Sequence, residues 1–181
     1  MQIKICSRCI LPDTFPGIKF DDNGVCNHCR REEKALAKAC EKKTDYIKHF
    51  DELIENKRGK APVYDVILAF SGGKDSSYTL KLLKDRYDLR ILAYTFDNHF
   101  VSPFAFENIK KVTDRLKVDI IQFRLPWTAG KEFFALTAKK DIFSKATLLR
   151  ASSICTTCIG MVKSLVLKTA LEMSIPLVAF G

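Results

Sequence analysis

The sequence predicts an α/β fold, a doubly wound parallel sheet preceded by a small cysteine-ligated module. Three observations carry this expectation. From Val63 onward, short β-branched apolar runs alternate with amphipathic helical windows in the order βαβαβααβ. A serine- and glycine-rich turn, Ser71-Gly72-Gly73-Lys74-Asp75-Ser76-Ser77, lies between the first apolar run and the first helical window. Ahead of both, Cys6-x-x-Cys9 and Cys26-x-x-Cys29 are separated by sixteen residues.

Residues 1–30 are expected to form the cysteine module. Each C-x-x-C turn offers two thiolates to one ion, and two such knuckles complete a closed tetrahedral set. Cys6, Cys9, Cys26 and Cys29 are therefore read as ligands of a structural Zn²⁺ in a zinc-ribbon-like site. A rubredoxin-like iron site and four unrelated buried cysteines remain the alternatives. So short a segment buries too little apolar surface to fold unaided, and metal binding supplies the missing free energy. Residues 31–62 read as a helical connector and linker. Leu36, Ile47, Phe50, Leu53 and Ile54 are interleaved with charged residues, and the polar stretch Asn56–Pro62 carries the expected domain boundary.

Residues 63–181 supply the α/β pattern. Strands are expected at Tyr64–Phe70, Leu89–Phe96, Val118–Phe123 and Pro176–Phe180. Helices are expected from about Asp75 to Tyr87 and over Pro103–Leu116, Lys131–Leu149 and Gly160–Met173. An apolar strand followed at once by Gly181 suggests a fragment truncated after the fourth strand; a natural edge strand is the alternative.

Thirty Lys and Arg against twenty-one Asp and Glu give a formal charge of +9, which favours anionic partners such as nucleotides, sugar nucleotides or tRNA. A solvated basic surface without a specific partner is the plain alternative. Six of the seven cysteines fall in C-x-x-C pairs, which argues for metal or redox chemistry over a disulfide framework, and Cys40 stands alone. The N-terminus opens with Lys4, Cys6 and Arg8 instead of a signal-peptide apolar run, and no apolar run is expected to span a bilayer. A cytoplasmic protein without a membrane partner is therefore expected.

The turn at Ser71–Ser77 is an anion cradle. Two successive glycines let backbone approach a phosphate, and the helix behind them presents free N–H groups and a positive dipole end. Ser71, Ser76 and Ser77 add hydroxyls, Lys74 adds charge, and Asp75 is suited to capping the helix or holding Mg²⁺. The spacing is neither that of a Walker A loop nor that of a dinucleotide fingerprint. The second strand runs into Thr95-Phe96-Asp97-Asn98-His99, and in a parallel sheet its C-terminal end faces the same crevice as the turn. His99 reads as a surface residue more readily than as an acid or base.

Cys155-x-x-Cys158 precedes the last expected helix. A helix N-terminus and Lys163 nearby favour thiolates. Three roles stay open: ligands of an iron–sulfur cluster whose third cysteine lies beyond Gly181, a persulfide carrier, or packing.

Ser71-Gly72-Gly73-Lys74-Asp75-Ser76 resembles the S-G-G-x-D-S signature of the PP-loop ATP-pyrophosphatase superfamily, whose fold is the HUP-type, adenine nucleotide alpha hydrolase-like sheet. The resemblance implies that Ser71–Ser77 hold the β and γ phosphates of Mg·ATP and that Phe96, Asp97 and Asn98 contact adenosine. It also implies that a substrate oxygen is adenylated with release of pyrophosphate, with Lys74, Asp75, Cys155 and Cys158 as the catalytic candidates. Cys6-Ser-Arg-Cys9-Ile-Leu-Pro-Asp-Thr-Phe-Pro-Gly17, with Phe20-Asp21 and Gly24-Val25-Cys26, is similar to the start of N-acetyl sugar amidotransferases, which draw ammonia from a separate glutaminase. Cys155-Thr-Thr-Cys158-Ile-Gly160 and the segment up to Gly181 look like tRNA 2-thiolation enzymes, which hold a [4Fe–4S] cluster on a C-x-x-C pair and a distal cysteine and need a sulfur donor. The two likenesses together cover nearly the whole chain. A homodimer is a further expectation, and a non-catalytic nucleotide- or nucleic-acid-binding module is the alternative of another class.

Overall fold

The computed structural model describes residues 3–140 and 142–181. Met1 and Gln2, inside the expected cysteine module, and Asp141, inside the expected helix at 131–149, lie outside the described residues. The chain divides into two compact units, Met1–Leu53 and Ile54–Gly181.

In the first unit, the isolated antiparallel bridges Ile5–Pro12 and Phe20–Cys26 hold the two cysteine turns. Helix α1, Asn27–Glu41, starts on Cys26, whose sulfur accepts from the Cys29 N–H at 3.4 Å. Helix α2, Lys43–Lys57, crosses the division between the units because Ile54 is 2% exposed and belongs to the α/β core.

The second unit is a four-stranded parallel sheet. Its strands are β1 (Val66–Ala69), β2 (Ile91–Asp97), β3 (Asp119–Arg124) and β4 (Leu177–Phe180), in the order β3-β2-β1-β4. The helices are α3 (Lys74–Asp85), α4 (Pro103–Leu116), α5 (Trp127–Lys139), α6 (Lys145–Leu148) and α7 (Ser153–Glu172). Every residue of β2 is buried, as expected of a strand with parallel neighbours on both sides and helices on both faces. Side chains alternate across β1. Val66, Leu68 and Phe70 enter one core with Leu80, Leu83 and Ile109, while Ile67 enters the other with Leu92, Tyr94, Val166 and Ala170. The chain runs from β1 outward to β3 and then returns to β4 on the other side of β1. The topological switch point, where a crevice opens at the strand C-termini, therefore lies beside β1.

The expected parallel sheet is present, but its order is βαβαβαααβ, with one helix more than expected between β3 and β4, and the last helix starts earlier. The single expected helix at 131–149 is two helices. Pro126 precedes the first at Trp127, and Ser144 caps the second through its Oγ, which accepts from Thr147 N–H at 3.3 Å. The last helix begins at Ser153 instead of Gly160, because the Ser152 hydroxyl accepts from Cys155 N–H at 3.3 Å and starts it about two turns earlier. Contrary to the sequence expectation, α7 is long and apolar enough to cross a membrane by length and composition alone. Val166 and Ala170 are nonetheless buried against Ile67 and Tyr94, as in a helix covering a sheet.

Candidate nucleotide site and cysteine cluster

The turn after β1 is organised by its own side chains. Ser71 Oγ lies 3.1 Å from Ser76 Oγ and accepts from Gly73 N–H at 3.3 Å, while Ser76 Oγ donates to the Gly73 carbonyl at 3.2 Å. Asn108 Nδ2 on α4 donates to the Gly72 carbonyl. Gly72 has φ +73°, and a Cβ there would stand 2.6 Å from Ile109 Cγ1 and 3.1 Å from the Ala105 carbonyl oxygen. Only glycine fits that backbone and that space. Lys74 and Asp75 project into solvent and pair with each other at 2.8 Å. Ser77 Oγ is screened from solvent and has no hydrogen-bond partner among the described residues. A glycine cradle, an orphaned hydroxyl and the N-terminus of α3 together fit a phosphate chain.

Beside the turn is a cavity of about 380 Å³, lined by Ser71, Thr95, Phe96, Cys158, Lys163 and Gly181 among others. The C-terminal ends of β1, β2 and β4 and one face of α7 thus converge at the switch point. A Cβ on Gly181 would come 2.7 Å from Ser76 Cα, so the end of β4 approaches the start of α3 closely.

The residues after β2 divide by role. Phe96 lines the cavity and stacks on Phe123 with centroids 6.1 Å apart. Asp97 is buried; it accepts from Arg124 Nε at 2.6 Å and from His99 N–H at 2.9 Å. Burial would raise its carboxyl, but these two partners hold it below the usual carboxylate range. Asn98 Oδ1 accepts from Phe100 N–H at 2.9 Å, and Nδ2 donates to Cys158 Sγ at 3.3 Å. His99 contacts the Leu125 carbonyl oxygen through Nε2 and meets Trp127 edge-on with centroids 5.3 Å apart.

Cys155 and Cys158 lie one turn apart inside α7, with Cys155 exposed and Cys158 half-buried in the cavity wall. Several lining residues carry no sequence signal: Val101, Ile109, Ile159 and Val162 read as ordinary helix or loop apolar positions. The phase of α4 and α7 against the sheet turns Ile109, Ile159 and Val162 inward, the loop before α4 adds Val101, and only Lys163, as a cation near a C-x-x-C pair, stands out locally.

In the first unit, the sulfurs of Cys6, Cys9, Cys26 and Cys29 all lie within 4.8 Å of one another. Cys6 and Cys29 are 3.9 Å apart, and Cys9 and Cys26 are 3.6 Å apart. A tetrahedral site with metal–sulfur bonds of about 2.3 Å has edges of about 3.8 Å, so the four thiols fit one ion. Burial opposes ionisation of Cys6, but N–H groups of Cys9, Arg8 and Cys26 bring it down to about 6. Neighbouring sulfurs, Cys9 foremost, push Cys29 up to about 12. Four thiols that cannot all ionise together without a cation are those that a divalent metal would stabilise.

The sheet and its helices share their fold with a solved synthetase. An NH₃-dependent NAD synthetase from Campylobacter jejuni superposes with TM-score 0.50 at 14% identity, over 70% of this chain and 51% of that one. The U34-tRNA thiolase NcsA from Methanococcus maripaludis, solved with its [4Fe–4S] cluster, aligns over 100% of this chain and 55% of that one, with TM-score 0.45 at 16% identity. Among curated proteins, an uncharacterized protein of Methanocaldococcus jannaschii is 30% identical over 154 residues, covering 84% of this chain and 50% of its own length. The chain thus spans about half the length of the proteins it matches over most of its own. No family model matches it.

Proposed function

We propose that the α/β unit binds Mg·ATP and activates an acceptor oxygen by adenylation. One observation carries this reading: a glycine turn that tolerates no Cβ, with an orphaned serine hydroxyl, opens beside a cavity at the switch point of the sheet. The β and γ phosphates would lie on Ser71–Ser77 and the adenosine toward Phe96–Asn98. The acceptor oxygen attacks the α phosphorus, the bond to the α,β-bridging oxygen breaks, and pyrophosphate leaves with the electron pair. Loop N–H groups and Lys74 orient the phosphates and stabilise the charge that develops. Asp75 is the carboxylate suited to Mg²⁺, which would neutralise phosphate charge when bound. A nitrogen or sulfur nucleophile then displaces AMP. Radiolabelled ATP should yield AMP and pyrophosphate in equal amounts; ADP and phosphate as products would overturn the proposal.

For the second half-reaction, similarity of the Cys6–Cys26 segment to N-acetyl sugar amidotransferases favours amidation of an N-acetyl sugar, with Zn²⁺ on the four cysteines and ammonia from a separate glutaminase. A second reading, sulfur transfer to tRNA, is favoured by Cys158, which lines the cavity and accepts a hydrogen bond from Asn98. In that reading Cys155 and Cys158 would ligate a [4Fe–4S] cluster. Zinc, iron and acid-labile sulfide measured on anaerobically purified protein separate the two. Iron and sulfide that disappear in Cys155→Ser support sulfur transfer, whereas zinc without iron supports amidation.

A further inference from the structure

A second recess, of about 470 Å³, lies between α6, the turn that follows it, and α7. Thr147 and Arg150 line it from one side and Thr156, Ile159 and Lys163 from the other. The last three recur along one face of α7. Ile159 and Lys163 also line the nucleotide cavity, so the two spaces share a wall.

The charge of this region is one-sided. From Ile142 to Leu171 the chain carries four cations, Lys145, Arg150, Lys163 and Lys168, and no Asp or Glu. Lys168 is paired with Glu172 at 3.7 Å. Among the described residues, no carboxylate pairs with Arg150 or Lys163. Lys48, Arg58, Lys81, Lys110 and Lys111, by contrast, each have an acidic neighbour on the same helix or its end. A concave surface with two uncompensated cations and two hydroxyls is built for a phosphate, which accepts from the planar guanidinium fork, the ammonium and the threonine hydroxyls together.

We infer that this recess holds a phosphate group of the acceptor, so that the acceptor is a phosphate-bearing molecule and not a free neutral one. The inference rests on the adenylation reading for its purpose: Lys163, on the shared wall, would bring the acceptor's phosphate end beside the nucleotide while its reacting oxygen reaches the α phosphorus. Thr156 and Arg150 would fix the register of the acceptor and take no part in the chemistry. Phosphate in this form occurs both in a nucleotide sugar and in an RNA backbone.

The test is equilibrium binding to the purified chain in the presence of α,β-methylene-ATP. The probes are UDP-N-acetylglucosamine, an unmodified tRNA transcript and, as the neutral comparison, N-acetylglucosamine. One phosphate-bearing probe should bind at least about tenfold more tightly than N-acetylglucosamine, and Arg150→Glu should weaken it by at least about tenfold, as expected when a charge-assisted hydrogen bond is lost. Affinity for α,β-methylene-ATP should stay within about twofold in that variant, which also shows that it is folded. The probe that responds identifies the source of the phosphate. Failure of both phosphate-bearing probes to bind, or binding indifferent to Arg150→Glu, would overturn the inference. If the wild-type chain fails to bind α,β-methylene-ATP yet binds a phosphate probe through Arg150, the recess stands and the adenylation reading falls.

Discussion

Gly72 shows how much of the site a single residue decides. Its φ of +73° and the 2.6 Å approach of Ile109 to the missing Cβ are both incompatible with a side chain. Gly72→Ala should cost about 1–3 kcal/mol of stability and weaken ATP binding by at least about tenfold, read by thermal melts and calorimetric titration. Asp65 is a second such residue. It is 1% exposed and accepts from Gly59 N–H at 2.8 Å, Arg90 N–H at 3.0 Å and the Arg90 guanidinium at 2.7 Å. Burial would raise its carboxyl, but the Arg90 side chain and the two backbone donors hold it below the ordinary range. A depressed native value makes the stabilising contribution complete above the unfolded value of about 3.9 and lost as pH falls through the native one. Asp65→Asn should therefore cost about 3 kcal/mol at neutral pH in chemical denaturation and flatten the acid limb of the stability profile. Neither role is equally legible. Gly72 stands in a recognisable turn, whereas nothing around Asp65 in the sequence says that Arg90, twenty-five residues on, will meet it.

At the scale of elements, α7 is the most informative. Sequence periodicity starts it at Gly160, but the Ser152 cap moves its first turn to Ser153 and sends Cys155 and Cys158 to different surroundings. With ATP absent, a maleimide should modify both cysteines, Cys155 faster. Saturating α,β-methylene-ATP should slow Cys158 by about tenfold and leave Cys155 unchanged, as mass spectrometry of the labelled peptides would record. Equal protection of both would contradict the placing of Cys158 in the nucleotide cavity. The cysteine module has little apolar core of its own, since Ile3, Ile5 and Ile10 are exposed and, among its described residues up to Arg30, only Cys6 and Cys26 are buried. If the four sulfurs hold an ion as proposed, chelation or Cys26→Ser should abolish protection of the 5–29 amides in hydrogen exchange while the strands of the sheet keep theirs. Its cluster of four cysteines was legible because C-x-x-C turns are local; the division of the 131–149 helix was not, since Ser144 looks like any polar helix residue until its hydroxyl is seen to accept from Thr147 N–H.

At the scale of the whole molecule, ligand binding and stability should be linked. A nucleotide that binds only the folded α/β unit at about a hundred times its dissociation constant adds about 2.7 kcal/mol, which should raise the melting temperature by several degrees. A null shift with Mg·ATP would argue against nucleotide binding. The sequence by itself determined the parallel sheet, the Ser-Gly-Gly turn after its first strand and the four-cysteine cluster. Each is written in neighbouring residues through a period, a glycine pair or a fixed ligand spacing. Only the tertiary structure decided which side chains share the cavity at the switch point, that Asp97 is held by Arg124 while Asn98 reaches Cys158, and that Arg150 and Lys163 flank one recess. Those outcomes depend on the rotation of α4 and α7 against the sheet and on strand register, which close packing of the two cores sets and no local stretch of sequence contains.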